Sequence, residues 1–275
     1  MSHIDQFAVF GHPIKHSKSP RIHQIFAEQT GRKLAYSARD VATEHFVEAC
    51  NGFFAEGGKG LNCTVPLKEQ AWRYANRLTE RARHAMAVNT LARQEDDSIL
   101  GDNTDWIGLV RDLLCNHAIE LAGKRILVLG AGGAARGVLG PLLECLPAQI
   151  VVTNRTRSKA GDLVEHFIGQ GPIACGDYSD LAGQEFDLIL NATSASLSGE
   201  LPPLPANLLG KNGCCYDLAY GNQPTAFVKW GEENHAFKSL DGLGMLVEQA
   251  AEAFFVWHGI RPETGPVIEL LINER

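Results

Sequence analysis

Three observations predict an α/β fold in two domains. Arg125 is followed by a short apolar run, Ile126 to Leu129, that passes without a break into Gly130-Ala131-Gly132-Gly133-Ala134-Ala135 and an amphipathic segment reaching Cys145. A buried strand, a tight turn and a helix have that pattern, which makes a Rossmann-like unit the expectation for this half of the chain. Before it, strand-type and helix-type stretches alternate through the first hundred residues, as in a mixed or parallel α/β unit. After it, residues 242–259 and 263–274 read as amphipathic helices with no strand following, so they are expected to pack back on the first domain. The expected division is therefore 1–105 with 240–275 for a substrate-type domain, and 106–239 for a nucleotide-type domain.

Composition agrees with two modest globular domains. The 275 residues are 45% hydrophobic and 21% charged, which excludes a disordered chain. A net charge of -7 with no Lys/Arg run argues against nucleic acid as a partner, because counterion release needs clustered cations. Met1 to Gln6 is polar, without the cationic-then-apolar order of a secretion signal, and no apolar run approaches a membrane span. No membrane partner is expected, and the cytoplasm is the expected compartment. The seven cysteines show no C-x-x-C spacing, and Cys214-Cys215 lies in an apolar run, so buried reduced thiols are expected rather than a redox pair. His12, His16 and His23 are separated by Pro13 and Pro20, share no helix face, and suggest no metal site.

The elements follow in order. Gln6 to Phe10 reads as a strand closing at Gly11. The polar loop His12 to Lys18 leads to a helix with Ser19 as N-cap, Pro20 at its first position, an apolar face of Ile22, Ile25 and Phe26, and Gly31 as its stop. Ser19 then has a structural duty, whereas Ser17 has none, and the two hydroxyls beside free N–H groups suit an anionic or polyhydroxyl ligand. Tyr36 to Val41 reads as a strand, and Thr43 to Glu56 as a helix with Phe46, Val47, Cys50, Phe53 and Phe54 on one face. Gly60 to Val65 is a third strand, followed by short helical pieces from Lys68 to Ala85. Strands at 87–91 and 98–101 flank the acidic turn Glu95-Asp96-Asp97, and a helix from Asp105 to Asn116 bridges to the second domain. There, strands are expected at 149–153, 185–191 and 213–218.

The glycine turn fits G-x-G-x-x-A. Gly130 makes the turn, Gly132 lets backbone approach a pyrophosphate, and Ala135 permits close packing of helix on strand. The helix start adds free N–H groups and a positive dipole end. About 20 residues further on, a site for NAD carries Asp or Glu against the ribose hydroxyl. This chain carries Asn154-Arg155-Thr156-Arg157-Ser158-Lys159 instead, and cations there suit a 2′-phosphate, so NADP(H) is the expected cofactor.

A bound nicotinamide nucleotide makes hydride transfer the reaction class, and the protein then has to manage one proton. Lys68, which follows a strand and a proline, and Asp105, which opens the bridging helix, are the polar pair best placed to do so.

Motifs along nearly the whole chain resemble the shikimate dehydrogenase family. They are Ser17-Lys18-Ser19-Pro20, Asn62-Cys63-Thr64-Val65-Pro66-Leu67-Lys68, Ala87-Val88-Asn89-Thr90, Gly101-Asp102-Asn103-Thr104-Asp105, Gly130 to Ala135, Asn154-Arg155-Thr156, Asn191-Ala192-Thr193-Ser194 and Gly242-Leu243-Gly244-Met245-Leu246-Val247 with Gln249. The resemblance implies NADPH-dependent reduction of 3-dehydroshikimate to shikimate. It implies Lys68 and Asp105 as catalytic dyad, and Ser17, Ser19, Thr64, Asn89, Tyr220 and Gln249 as further substrate contacts. Cofactor contacts are implied at Gly130, Ala131, Gly132, Gly133, Ala134, Asn154, Arg155, Thr156 and Lys159, more loosely at Leu218 and Gly242, and at Glu80 near the nicotinamide. Two departures stand out: Cys63 where the family more often has Val, and Ala195-Ser196 where a glycine often follows. A quinate/shikimate dehydrogenase that favours NAD, and a non-catalytic NADP(H)-binding regulator, are the alternatives. Monomer and homodimer both remain open.

Overall fold

The computed structural model describes residues 4–193 and 195–275. Ser194 of the Asn191-Ala192-Thr193-Ser194 motif and the first three residues of the polar N-terminal stretch lie outside the described residues. Contacts divide the chain into two compact units. One runs to Gly108 and resumes over Leu246–Glu274; the other spans Leu109–Met245 with Arg275. Both crossings fall somewhat later in the sequence than expected. None of the described helices is long and apolar enough to cross a membrane.

The first unit begins with β1 (Asp5–Gly11), α1 (Ser19–Thr30), β2 (Leu34–Asp40), α2 (Phe46–Ala55) and β3 (Gly58–Cys63). It continues through α3 (Lys68–Tyr74), β4 (Arg77–Leu78), α4 (Glu80–Ala85), β5 (Thr90–Arg93), β6 (Ile99–Asp102) and α5 (Asp105–Arg111), whose last residues enter the second unit. The sheet order is β2-β1-β3-β5-β6-β4. β1 is parallel to β2 and β3, while β5 is antiparallel to both β3 and β6, so the sheet is mixed.

Local chemistry accounts for most boundaries and corrects three. Ser19 is not the N-cap of α1: it is the first helical residue, Lys18 precedes it without a side-chain cap, and Ser17 Oγ accepts the Ser19 N–H at 3.3 Å. No side chain fills the capping duty expected of Ser19, while Ser17, expected to have no structural role, takes the Ser19 N–H. Gly31 does end the helix, with φ 66°. Val47 is exposed, because α2 starts only after a 3₁₀ turn over Thr43–His45 and turns Phe46, Cys50, Phe53 and Phe54 inward. β5 starts at Thr90 rather than residue 87, since Met86 ends α4 in the left-handed region and the chain straightens only after Asn89.

The second unit contains β7 (Arg125–Leu129), α6 (Gly133–Glu144), β8 (Gln149–Thr153), α7 (Arg157–His166), β9 (Ile173–Gly176), β10 (Phe186–Asn191), β11 (Leu209–Asp217), α8 (Ala226–Glu233) and β12 (Lys238–Asp241). Its sheet is parallel throughout, in the order β12-β11-β10-β7-β8-β9. Its strands are apolar on both faces because both faces are covered. Ile126, Val128, Ile150, Val152, Leu188, Leu190 and Tyr216 pack on one side, and Leu127, Leu129, Val151, Ile189 and Phe227 on the other. Cys214 and Cys215 fall into these opposite clusters, so the alternation of the strand itself separates the two thiols.

α9 (Leu243–His258) and α10 (Gly265–Asn273) close the chain. From Leu246 onward they belong to the first unit. The Trp257 indole donates to Leu91 O at 3.0 Å, and its ring meets Phe7 with centroids 4.7 Å apart. A helix carrying large aromatics toward β1 and β5 thus returns to the N-terminal sheet, as its amphipathic pattern required.

Candidate active site

In the mixed sheet, register brings distant residues to one edge. Asn62 stands opposite Thr90, and Thr90 opposite Asp102, so the end of β3, the start of β5 and the end of β6 meet. Lys68 at the first turn of α3 and Asp105 at the first turn of α5 form an ion pair there, Nζ to Oδ2, at 2.6 Å. The lysine side chain is 22% exposed and the aspartate 7%, so one partner faces the open side and the other is walled in.

Asn89 holds the aspartate from behind. Its Nδ2 donates to Asp105 Oδ1 at 3.0 Å and to Gln249 Oε1 at 2.7 Å, and its Oδ1 accepts from Thr104 N at 2.8 Å. The Thr90 and Thr104 hydroxyls add two further bonds to that same oxygen. Every polar atom of the Asn89 amide is occupied, which fixes its orientation and so the direction of the Asp105 carboxylate.

A second set of contacts anchors the β6 end. Arg81 grips Asp102 in bidentate fashion, Nε to Oδ1 at 2.7 Å and a terminal nitrogen to Oδ2 at 2.5 Å, and reaches Glu252 of α9 at 2.9 Å. Arg261 pairs with the same Glu252. Thr79 adds its hydroxyl to Asp102 at 2.6 Å. This charge cluster has no place in the sequence-based reading, because Arg81 and Glu252 carry no spacing signal. Only the packing of α4 under α9 makes them partners.

Tyr36 and Asn62 were missed as well. The Tyr36 phenol donates to Asn62 Oδ1 at 2.7 Å, and Asn62 Nδ2 donates to Asn89 O and Thr90 Oγ1, each at 3.0 Å. Burial pushes the phenol well above its ordinary range, and the nearby Ser19 hydroxyl opposes that shift. Tyr36, Asn62, Asn89, Gln249, Lys68 and Asp105 therefore belong to one bonded network, while Ser17 and Ser19 are tied to each other through the Ser19 amide. Thr64 is half-buried just beyond β3, its N–H on Phe10 O at 2.9 Å. Glu80 is exposed at the start of α4.

The second unit has its own site at the carboxyl ends of its strands. Its sheet reverses order between β7 and β10, where ligands of open α/β sheets bind. Gly130, with φ 107°, turns there, and a Cβ on it would stand 3.0 Å from Ala192 O. Beside Gly132 and Gly133 there is open space, and no side chain caps the start of α6. The result is a bare-backbone cradle that suits a pyrophosphate. Across the sheet, Asn191 Nδ2 binds Asp217 Oδ1 at 3.1 Å and Ser196 Oγ at 2.9 Å, and Asp217 takes the Thr225 hydroxyl at 2.6 Å. Burial raises the Asp217 carboxyl, while the bonds from Ser196 and Thr225 pull the other way. These contacts fix the β11 end, where Leu218 O comes so close to Gly242 that no Cβ would fit.

At the end of β8, Asn154 Nδ2 folds onto Thr156 O at 2.9 Å. Arg157 is engaged by Asp177 at 2.5 Å and by Asp180. Arg155 and Lys159 are exposed and have no ion pair among the described residues. Tyr220 is half-buried in the loop after β11, in the second unit, where it lines a cavity of about 510 Å³ with Ser196, Gln223 and Lys229.

A doubly wound parallel sheet with a glycine cradle at its switch point, joined to a mixed α/β unit holding a lysine–aspartate pair, defines a dinucleotide-dependent oxidoreductase. Sequence comparison narrows the class. Residues 9–91 match the shikimate dehydrogenase substrate binding domain, 113–198 the shikimate/quinate 5-dehydrogenase family, and 242–272 the shikimate 5′-dehydrogenase C-terminal domain. The chain is 57% identical over 275 residues to shikimate dehydrogenase (NADP(+)) of Methylococcus capsulatus, covering 100% of this chain and 99% of that one. Its structure resembles an Ael1 enzyme from Pseudomonas putida, with a TM-score of 0.92, 44% identity and coverage of 97% and 98% of the two chains. It also resembles shikimate 5-dehydrogenase of Thermus thermophilus in complex with NADP(H) and shikimate, with a TM-score of 0.86, 32% identity and coverage of 97% and 98%. The chain belongs to the NADP-dependent shikimate dehydrogenase family.

Proposed function

We propose that the protein catalyses the reversible NADPH-dependent reduction of 3-dehydroshikimate to shikimate. The observation that carries this reading is the Lys68–Asp105 pair, held at 2.6 Å and oriented by the fully bonded Asn89 within a chain of this family. The nucleotide, when bound, supplies the hydride. Lys68 Nζ gives a proton to the ketone oxygen in the reducing direction and takes it back from the alcohol in the other, while Asp105 fixes the ammonium in place. Asn89 and Gln249 bind ring hydroxyls, Ser17 and Ser19 the carboxylate, and Thr64 and Tyr220 complete the substrate contacts.

The cradle from Gly130 to Ala134 holds the pyrophosphate, Arg155 and Lys159 take the 2′-phosphate, and Asn154 and Thr156 shape that turn. Leu218, Gly242 and Glu80 stand toward the nicotinamide. The division of labour among the cations is supported by Arg157 already being engaged by Asp177 and Asp180. Lys68, Asp105, Asn89 and Gln249 come from one chain, so the mechanism works equally in a monomer or a homodimer. The seven cysteines are all unpaired, which supports the reducing cytoplasm as the compartment.

Initial rates with shikimate and with quinate, each with NADP and with NAD, test the reading. Shikimate with NADP should exceed every other pairing by at least about tenfold in kcat/KM, a margin of ~1.4 kcal/mol. Quinate with NAD as the best pair would transfer the protein to the broader dehydrogenase class. No turnover alongside tight NADP binding would make it a regulator.

A further inference from the structure

Tyr36 lies within β2, and no motif marks it. Its phenol has one defined donor role: Asn62 Oδ1, at 2.7 Å, has no proton to give, so the phenol O–H must donate to it. Asn62 in turn has only one workable amide orientation, with Nδ2 on Asn89 O and Thr90 Oγ1. Asn89 carries the connection to Asp105 and Gln249.

The ring is fixed as firmly as the hydroxyl. His23 stacks on it with centroids 4.2 Å apart and planes 7° from parallel, while Trp257 lies 6.3 Å away on a tilted plane. His23 is fully buried, and burial together with the neighbouring His258 lowers its pKa to about 3, so it presents a neutral plate.

We propose that Tyr36 is a positioning residue of the substrate site. Its phenol locks the Asn62 amide, whose Nδ2 holds Asn89 O and Thr90 Oγ1, so the Asn89–Asp105 end of the site is preorganised. The inference rests on reading this site as one for a hydroxylated cyclohexene carboxylate.

A double-mutant cycle on the full-length enzyme tests it, using Tyr36→Phe, Asn62→Ala and the double variant, with KM for shikimate, KM for NADP and kcat measured for each. Tyr36→Phe keeps the ring on His23 and should raise KM for shikimate about tenfold, with KM for NADP unchanged within about twofold. In the Asn62→Ala background the same change should add less than about twofold, because its partner is already gone. An additive cycle overturns the inference, as does a Tyr36→Phe enzyme whose KM for shikimate matches wild type. A Tyr36→Phe chain that fails to fold by circular dichroism also overturns it, since the phenol would then serve the fold. Wild type that leaves shikimate untouched contradicts the functional reading and takes this inference with it; an active wild type with an additive cycle contradicts the inference alone.

Discussion

Replacing Lys68 by Met removes one ammonium while keeping most of the aliphatic stem, which isolates its chemistry from its packing. Without that ammonium, Asp105 keeps the Asn89 donor at 3.0 Å, so the carboxylate stays in place but nothing beside it can deliver a proton. A positioned general acid contributes about 10²–10⁴ in rate, or ~2.7–5.5 kcal/mol of barrier, and kcat should fall by that factor. The loss of stability should be much smaller, about 1–2 kcal/mol, because Lys68 is partly exposed and Asp105 retains a hydrogen bond. Steady-state rates with shikimate and NADP, together with a thermal melt, separate the two effects. A folded Lys68→Met enzyme with kcat within tenfold of wild type would refute the assignment of Lys68 as the proton donor.

Three other perturbations have defined outcomes. Arg155→Ala and Lys159→Ala should each raise KM for NADP about tenfold, the scale of one charge-assisted hydrogen bond, whereas Arg157→Ala, already engaged by Asp177 and Asp180, should change it less than about twofold in initial-rate assays. Gly244→Ala should lower stability by about 1–3 kcal/mol by calorimetry, because its Cβ would overlap the buried Asp112 carboxylate, which also accepts the Tyr216 hydroxyl at 2.5 Å. His23, with its pKa lowered from 6.5 to about 3 by burial, binds a proton in the unfolded chain before it does in the folded one. Its contribution is therefore complete above pH 6.5 and is lost as pH falls from there toward 3, at up to ~1.4 kcal/mol per pH unit. Denaturant melts of His23→Phe should show a shallower acid slope over that window than wild type, and equal slopes would contradict it.

How much of this was legible in the chain depended on whether the signal was local. The β7–α6 turn was legible because glycine spacing states a backbone requirement, and Gly130 meets it with positive φ against Ala192. Lys68 and Asp105 were legible as strand-end residues of suitable chemistry, although their 2.6 Å contact depends on β3, β5 and β6 lining up in register. Tyr36, Asn62 and the Arg81–Asp102–Glu252 cluster were not legible, since their partners are brought together only by sheet order and by the return of α9. β12 was missed because Lys238–Asp241 is short and half-buried, a strand only by pairing with β11. The capping duty expected of Ser19 was misplaced, since a shift of one residue in the helix start puts Lys18 at the N-cap, with no side-chain cap, and leaves Ser17 Oγ on the Ser19 N–H.

The most direct measurement is the loss of NADPH absorbance when purified wild-type protein is mixed with 3-dehydroshikimate, with the product identified by chromatography. Turnover is expected with one shikimate formed per NADPH consumed, and with a rate at least about a hundredfold lower when Lys68→Met replaces wild type at the same concentration. NADPH consumption without shikimate, or a wild-type protein that leaves both compounds unchanged, would contradict it.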